Sequence, residues 1–331
     1  MGLTLGGGIS PSIGRYGGLM SDRLISLRIV LGDGKILEVN KKDYPDLFFA
    51  LCGAGAGNFG IVTEFVFKPI KYIASTVFAI RFPWDQMGRV MRMWQKFAPF
   101  TDKRLSSQLD LSAPKFVAAG ELPVLFKGQF LGKEAELVQL IEKFIKLAKK
   151  SGGSVFIKSI KNNAEGGLFW DDSEQAYTEE NSILWYNAMD KCAIGVYKAA
   201  LENAPGPKSR VAFNAMGGAI SEIPSNGSAF PHRDSIFWSL HIGETLDPAA
   251  FPPQQIWLNE LYVALNPYVK KIENTVPAYI NVPQANLQPN NTYLTAYYAK
   301  NLNKLIDIKT KYDPDNFFHF AQSLPVKKLK I

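Results

Sequence analysis

Six residues, Gly55-Ala56-Gly57-Asn58-Phe59-Gly60, have the spacing G-x-G-x-x-G. Glycines so placed let a backbone approach the pyrophosphate of a dinucleotide. The fingerprint carries that meaning only where a strand enters the turn and a helix leaves it. Here the order is reversed. Upstream, Leu47, Phe48 and Leu51 share one helical face, with Pro45 in the first turn and Gly53 past the end. Downstream, Ile61 to Phe67 is β-branched and aromatic with polar residues interleaved, which predicts a strand. A nicotinamide-binding Rossmann unit is therefore not expected. What survives is the chemistry of the turn, since successive N–H groups in a glycine turn form a nest for an anion.

Proton chemistry needs a different residue type. Phe237 to Ile242 reads as a strand, with Phe237, Ser239 and His241 on one face and Trp238, Leu240 and Ile242 on the other. His241 thus falls on the more polar face. A histidine titrates near neutrality and can accept a substrate proton; a hydrogen-bonded structural histidine is the alternative. The three histidines, His232, His241 and His319, are too dispersed to form a metal-ligand motif, and no metal site is expected. Cys52 and Cys192 give no disulfide framework. Cys52 reads as a small buried apolar residue.

These candidates must be positioned by a chain of 331 residues, 47% hydrophobic and 20% charged, which favours two domains with a substantial core. Net charge is +7 but dispersed. The basic run Ile141–Lys150 reads as a solvated helix face and the tail Val326–Ile331 as a frayed end, so no nucleic-acid partner is expected. No apolar run reaches membrane-spanning length, and no signal-peptide pattern opens the chain. Two sequons stand at Asn226 and Asn290. Leu24–Val39 predicts a hairpin turning at Asp33-Gly34. The middle of the chain alternates strand-like and helix-like blocks, with a strongly amphipathic helix over 133–150, as in an antiparallel sheet with helices on one face. Near the end, 276–284 reads as a strand or extended segment and 292–312 as one helix closed by Asp313-Pro314.

Four segments in order, "LTLGGGISPSIGRYGGLMSDRLISLRIVLGDGKIL", "DYPDLFFALCGAGAGNFGIVTEFVFK", "FPHRDSIFWSLHIG" and "AYINVPQANL" with "YYAKNLNKLIDIKTKYDPDNFFHFAQSLP", closely resemble the berberine bridge enzyme-like flavoproteins. The match is strong at both ends and weak in the middle. It implies an α+β fold: a partial FAD-binding domain of the PCMH type and a substrate domain of antiparallel sheet covered by helices. The FAD domain would comprise residues 1–73 completed by 274–331, with the substrate domain over 74–273. The resemblance assigns backbone contacts with FAD to Gly57, Asn58, Gly60, Ile61 and Val62, and flavin-side positioning to Asn281. It puts His241 where relatives carry Gln, Glu or another polar group facing the substrate.

Three departures accompany it. Relatives carry a further FAD subdomain ahead of "LTLGGG", including the residues that tether flavin covalently, and no residue of this chain is assigned as a tether. Cys52 stands where relatives often have Arg. Val282 replaces a Tyr that helps deprotonate substrate, while the retained Tyr279, three residues earlier, would face the opposite way on a strand. The implied activity is FAD-dependent oxidation of an alcohol, sugar or natural product by hydride transfer to flavin, with O2 as a possible electron acceptor and an extracellular setting. The alternative is a truncated or degenerate homologue without catalysis, acting as a structural or interaction protein or needing a missing N-terminal segment.

Overall fold

A computed structural model of the chain describes residues 2–170 and 177–327. Most of the basic tail lies outside these residues. Two sheets organise the molecule. The smaller, in the order β2-β1-β3, is antiparallel and uses β1 (Leu24–Val30), β2 (Ile36–Asn40) and β3 (Ile61–Phe67). The hairpin between β1 and β2 turns through Gly34, at φ +82°, where a glycine has no Cβ to clash. Leu27, Ile29 and Val39 are fully buried, and helix α3 (Pro45–Leu51) lies against β2. Two single helical turns precede this sheet, α1 (Gly2–Leu5) and α2 (Gly14–Gly17).

The larger sheet is antiparallel throughout, in the order β7-β4-β6-β5-β9-β10-β8. Its strands are β4 (Ser75–Phe82), β5 (Leu105–Ser112), β6 (Val124–Phe130), β7 (Ser154–Ile160), β8 (Tyr177–Trp185), β9 (Lys208–Ala215) and β10 (Phe237–Thr245). Helices α4 (Met87–Phe97), α5 (Glu134–Ser151), α6 (Lys191–Glu202) and α7 (Phe251–Leu265) cover one face. Strand alternation sends Phe78, Ile80, Leu109, Phe126, Phe213 and Phe237 to that face, each with no exposed surface. Each such side chain contributes about 1.5–3 kcal/mol of burial. The opposite face carries polar side chains, Ser106, Gln108 and Asp110 on β5, Gln129 on β6, Asn214 on β9 and Ser182 on β8, among apolar ones such as Trp238 and Leu240 of β10.

This polar face is turned toward the first and last segments of the chain. The Arg15 backbone N–H donates to Ser106 Oγ, and its buried guanidinium donates to the carbonyls of Pro99, Thr101, Asp102 and Met216. Burial pushes the Arg15 pKa down to about 10. Arg233, fully buried, grips Asp22 with two hydrogen bonds of 2.7 Å. The Tyr279 backbone N–H donates to Ser182 Oγ at 2.9 Å.

Three features differ from the sequence reading. The segment around Tyr279 is no strand: the Val282 N–H donates back to the Tyr279 carbonyl at 2.9 Å, closing a turn. The expected single helix over 292–312 is two, α8 (Thr292–Tyr298) and α9 (Leu302–Tyr312), broken at Ala299 with φ +44°. At the break Asn301 reaches the carbonyls of Ser225 and Ser228, so tertiary hydrogen bonds override helical propensity. Residues 154–202, for which no element is expected from pattern alone, supply β7, β8 and α6.

Candidate functional site

The reversed order around the glycine hexamer is observed: α3, then the turn, then β3. Gly55 and Gly57 take φ of +87° and +76°, which only glycine adopts freely. Ala56 and Gly57 lie at the surface, so the turn presents bare backbone. Gly60 serves packing, since a Cβ there would sit 2.4 Å from the Val30 carbonyl oxygen. Ile61 and Val62 open β3, the first exposed and the second half-buried.

Asn58 is buried with its side chain fully engaged. Its Nδ2 donates to the Ala54 carbonyl at 2.9 Å, and its Oδ1 accepts from the Leu324 N–H at 2.8 Å. Lys309, on α9, donates to the Asn58 carbonyl at 2.7 Å and pairs with Asp313. Asp313 accepts the N–H groups of Phe317 and Phe318 at 2.8 and 2.9 Å. Burial lowers the Lys309 pKa against the pull of Asp313. Asn58 therefore shapes the turn, which the C-terminal segment clamps from behind.

A second glycine turn lies beside the first. The Gly55 N–H donates to the Leu5 carbonyl at 2.8 Å, bringing Gly6-Gly7-Gly8 alongside, with Gly7 and Gly8 at φ +104° and +76°. The N–H groups of Gly8 and Ile9 donate to the Tyr279 hydroxyl oxygen at 3.2 and 3.0 Å. Asn281 Nδ2 donates to the same oxygen at 2.7 Å and to the Leu3 carbonyl at 2.8 Å. A Cβ at Gly6 would lie 2.0 Å from Asn281 Oδ1, so only glycine fits there. Asn281 and the 55–60 turn, far apart in sequence, thus meet around one pair of glycine turns. The N–H groups of Gly7, Gly8, Ile9 and Gly55 are taken within the protein and Gly6–Gly8 are buried, so the bare backbone open to an anion is that of Ala56 and Gly57.

His241 shares a face of β10 with Phe237 and Ser239, as its strand pattern predicts, but that face is not the one turned toward the glycine turns. Its side chain lies on the helix-covered face, fully buried, with Nε2 3.0 Å from the Tyr197 hydroxyl of α6 and 3.1 Å from Ser239 Oγ. Nδ1 has no hydrogen-bond partner among the described residues. Burial pushes its pKa down to about 3. The face carrying Phe237, Ser239 and His241 is polar in that short stretch but joins an aromatic cluster with Trp94, Trp185 and Phe213. The face of Trp238 and Leu240 is the one turned toward the glycine turns: the Trp238 ring lies 5.3 Å from that of Tyr279. Local polarity misassigned the two faces because the helices packed on the sheet, not the composition of β10, decide which face they cover.

The remaining candidates are structural. His232 sits between the Tyr186 hydroxyl and the Ala296 carbonyl, each at 2.8 Å, and burial pushes its pKa down to about 4. Gln322 bridges Gln284 and Tyr297, and His319 is exposed. Cys52 is buried, its thiol pushed up to about 12 by desolvation. Val282 and Tyr279 enter one apolar cluster with Trp238 and Phe230, because the turn removes the strand alternation that would separate them.

Sequence reasoning missed the polar set on β5 and β6. Asp110 accepts from Gln108 Nε2 at 2.6 Å and lies 3.3 Å from Lys127 Nζ. Burial raises the Asp110 pKa above the usual carboxylate range, with Lys127 and Arg210 opposing. The signal was the alternation of Gln108 and Asp110 with Leu109 and Leu111 in "LSSQLDLS". Among the described residues no group of three His, Cys, Asp or Glu side chains could hold a metal ion, and no helix is long and apolar enough to cross a membrane.

The comparisons with known proteins agree on one group. The family model described as "Berberine and berberine like" matches residues 278–325, which include Tyr279, Asn281 and the Lys309–Asp313 clamp. The chain is 32% identical to an uncharacterized FAD-linked oxidoreductase of Bacillus subtilis, YgaK, over 98% of this chain and 69% of that protein. It is 29% identical to berberine bridge enzyme-like 9 of Arabidopsis thaliana, over 97% of this chain and 64% of that protein. In fold it is similar to the grass pollen allergen Phl p 4, with a TM-score of 0.84, 22% identity and coverage of 98% of this chain and 70% of that one. A glucooligosaccharide oxidase of Acremonium strictum gives a TM-score of 0.83 at 21% identity, covering 98% of this chain and 70% of that one. With its α+β architecture and its glycine turns, the chain belongs to the berberine bridge enzyme-like family of FAD-linked oxidoreductases.

Proposed function

We propose that the protein oxidises a hydroxyl-bearing small molecule, an alcohol, a sugar or a natural product, with FAD as the hydride acceptor. The observation that supports this most directly is the meeting of two glycine turns with Asn281 in a member of an FAD-linked family. FAD, when bound, supplies the two-electron acceptor. In this reading Gly57, Asn58, Gly60, Ile61 and Val62 offer backbone to the cofactor. Asn281 and Tyr279 hold the Gly6–Gly8 turn in place. Residues 1–73 and 274–331 carry the flavin, and 74–273 carry the substrate on the polar face of the large sheet.

Re-oxidation by O2 and an extracellular setting belong to the same reading. The first draws on structural neighbours named as oxidases, of chitooligosaccharide and glucooligosaccharide; one neighbour is instead named a glucose dehydrogenase. The second rests on family resemblance alone. The test is direct: purify the chain, add FAD, desalt, and record the visible spectrum. Retained flavin absorbance is expected. A colourless protein would overturn the reading for this chain.

A further inference from the structure

Oxidation of a hydroxyl needs a group to take its proton, and the residues first considered for that task do not offer one. Val282 has no titratable atom. His241 lies under the helices. The Tyr279 oxygen already accepts three N–H donors, from Gly8, Ile9 and Asn281. The polar face of the large sheet does carry a carboxylate, Asp110, held by Gln108 and Lys127. Asp110 and Lys127 stand on two interior strands, β5 and β6, with side chains only 12% and 13% exposed. Burying such a pair costs several kcal/mol of desolvation per ion before any gain, and apolar residues often replace it at no loss. Perturbed, partly buried carboxylates of this kind concentrate at functional sites.

Register fixes where Asp110 lies. Trp238, whose ring packs on Tyr279, pairs across the strands with Asn214, and Asn214 with Gln108. In the next row Leu240 pairs with Ala212, and Ala212 with Asp110. At a strand spacing of ~4.8 Å, Asp110 is about 10 Å from Leu240, with only an alanine methyl between them. The row that touches the Gly6–Gly8 turn through Tyr279 is therefore directly followed by the row that holds the carboxylate.

We propose that Asp110 is the proton acceptor for the substrate hydroxyl, with Gln108 and Lys127 positioning it. In the step, the hydroxyl proton passes to the Asp110 carboxylate. FAD, when bound, would supply the acceptor for the hydrogen on the same carbon and its electron pair as the C=O bond forms. Gln108 fixes one carboxylate oxygen, leaving the Lys127 side to hold the other. Burial raises the Asp110 pKa, making its carboxylate more basic, and Lys127 and Arg210 oppose that rise. Glu180 and Glu244 share this face, Glu244 beside Arg210.

This inference rests on the FAD reading above, and the experiment separates the two. FAD retention is measured first, for wild type, Asp110→Asn, Asp110→Glu and Lys127→Met. A colourless wild type removes the FAD reading, and this inference with it. With flavin bound, glucose, cellobiose, diacetylchitobiose and coniferyl alcohol are mixed anaerobically with each form and flavin bleaching is followed. Asp110→Asn should keep its FAD affinity and slow bleaching by at least about 100-fold. Asp110→Glu should recover part of the rate, and Lys127→Met should move the acid limb of the rate profile upward in pH. Bleaching by Asp110→Asn at the wild-type rate would overturn the assignment. A second readout needs no substrate. The bound-flavin spectrum of the wild type should show an acid titration that Asp110→Asn lacks; identical titrations in the two forms would overturn it equally. If Asp110→Asn does not fold, Asp110→Ser, which also lacks the carboxylate, carries both comparisons.

Discussion

The hydroxyl oxygen of Tyr279 lies 3.0 Å from the backbone nitrogen of Ile9, joining residues 270 positions apart. The bond holds a glycine turn with the side chain of a distant tyrosine. Phenylalanine at 279 keeps the ring packing on Trp238 and Phe230 but leaves the N–H groups of Gly8 and Ile9 without an acceptor. That costs about 1–3 kcal/mol. If the turn lies at the flavin, Tyr279→Phe weakens FAD by roughly tenfold, read by fluorescence titration. An unchanged dissociation constant would place the cofactor elsewhere.

The clamp behind the other turn makes a second case. Lys309→Met leaves Asp313 buried without its cation, an effect of about 3–5 kcal/mol. Loss of the exposed partner of Asp33, by Lys35→Ala, should cost far less. Urea denaturation of both variants checks the contrast, and similar losses would show that the clamp is not the stronger pair.

Acid should loosen the fold through its histidines. His232 and His241 are held at about 4 and about 3, below the ordinary 6.5. Both stay neutral when folded, while the unfolded chain protonates them as pH drops below about 6.5. The unfolded state then binds more protons. Stability is full above about 6.5 and declines as pH falls toward about 4. The double variant His232→Gln/His241→Gln should flatten that decline in denaturation curves taken across the interval; an unaltered slope would refute the assignment.

His241 also distinguishes the two faces of β10. His241→Gln should lower the melting temperature and leave the rate of flavin reduction unchanged. A large loss of rate with normal flavin content would return His241 to the chemistry.

Much of the architecture was legible because it rests on local signals. The glycines at 53 to 60, the proline at 45 and the β-branched run after Gly60 specify helix, turn and strand without help from elsewhere. The face assignment of β10 was not legible. Phe237, Ser239 and His241 include two polar residues in three, yet the burial of that face is set by the helices packed on the sheet. The turn at Tyr279–Val282 was hidden for a similar reason: "AYINV" has strand composition, and its fold is decided by Ser182 and the Gly8–Ile9 backbone. Asp110 went unnoticed because its partners, Gln108 aside, come from other strands.

The clamp on the 55–60 turn has a consequence in time. Asn58 takes its final contacts from Lys309 and from the N–H of Leu324, both made long after the turn itself leaves the ribosome. The large sheet can pair while synthesis continues. The glycine turn waits for residues 251 and 266 positions further along the chain, and contacts of such sequence separation are the slow ones to form.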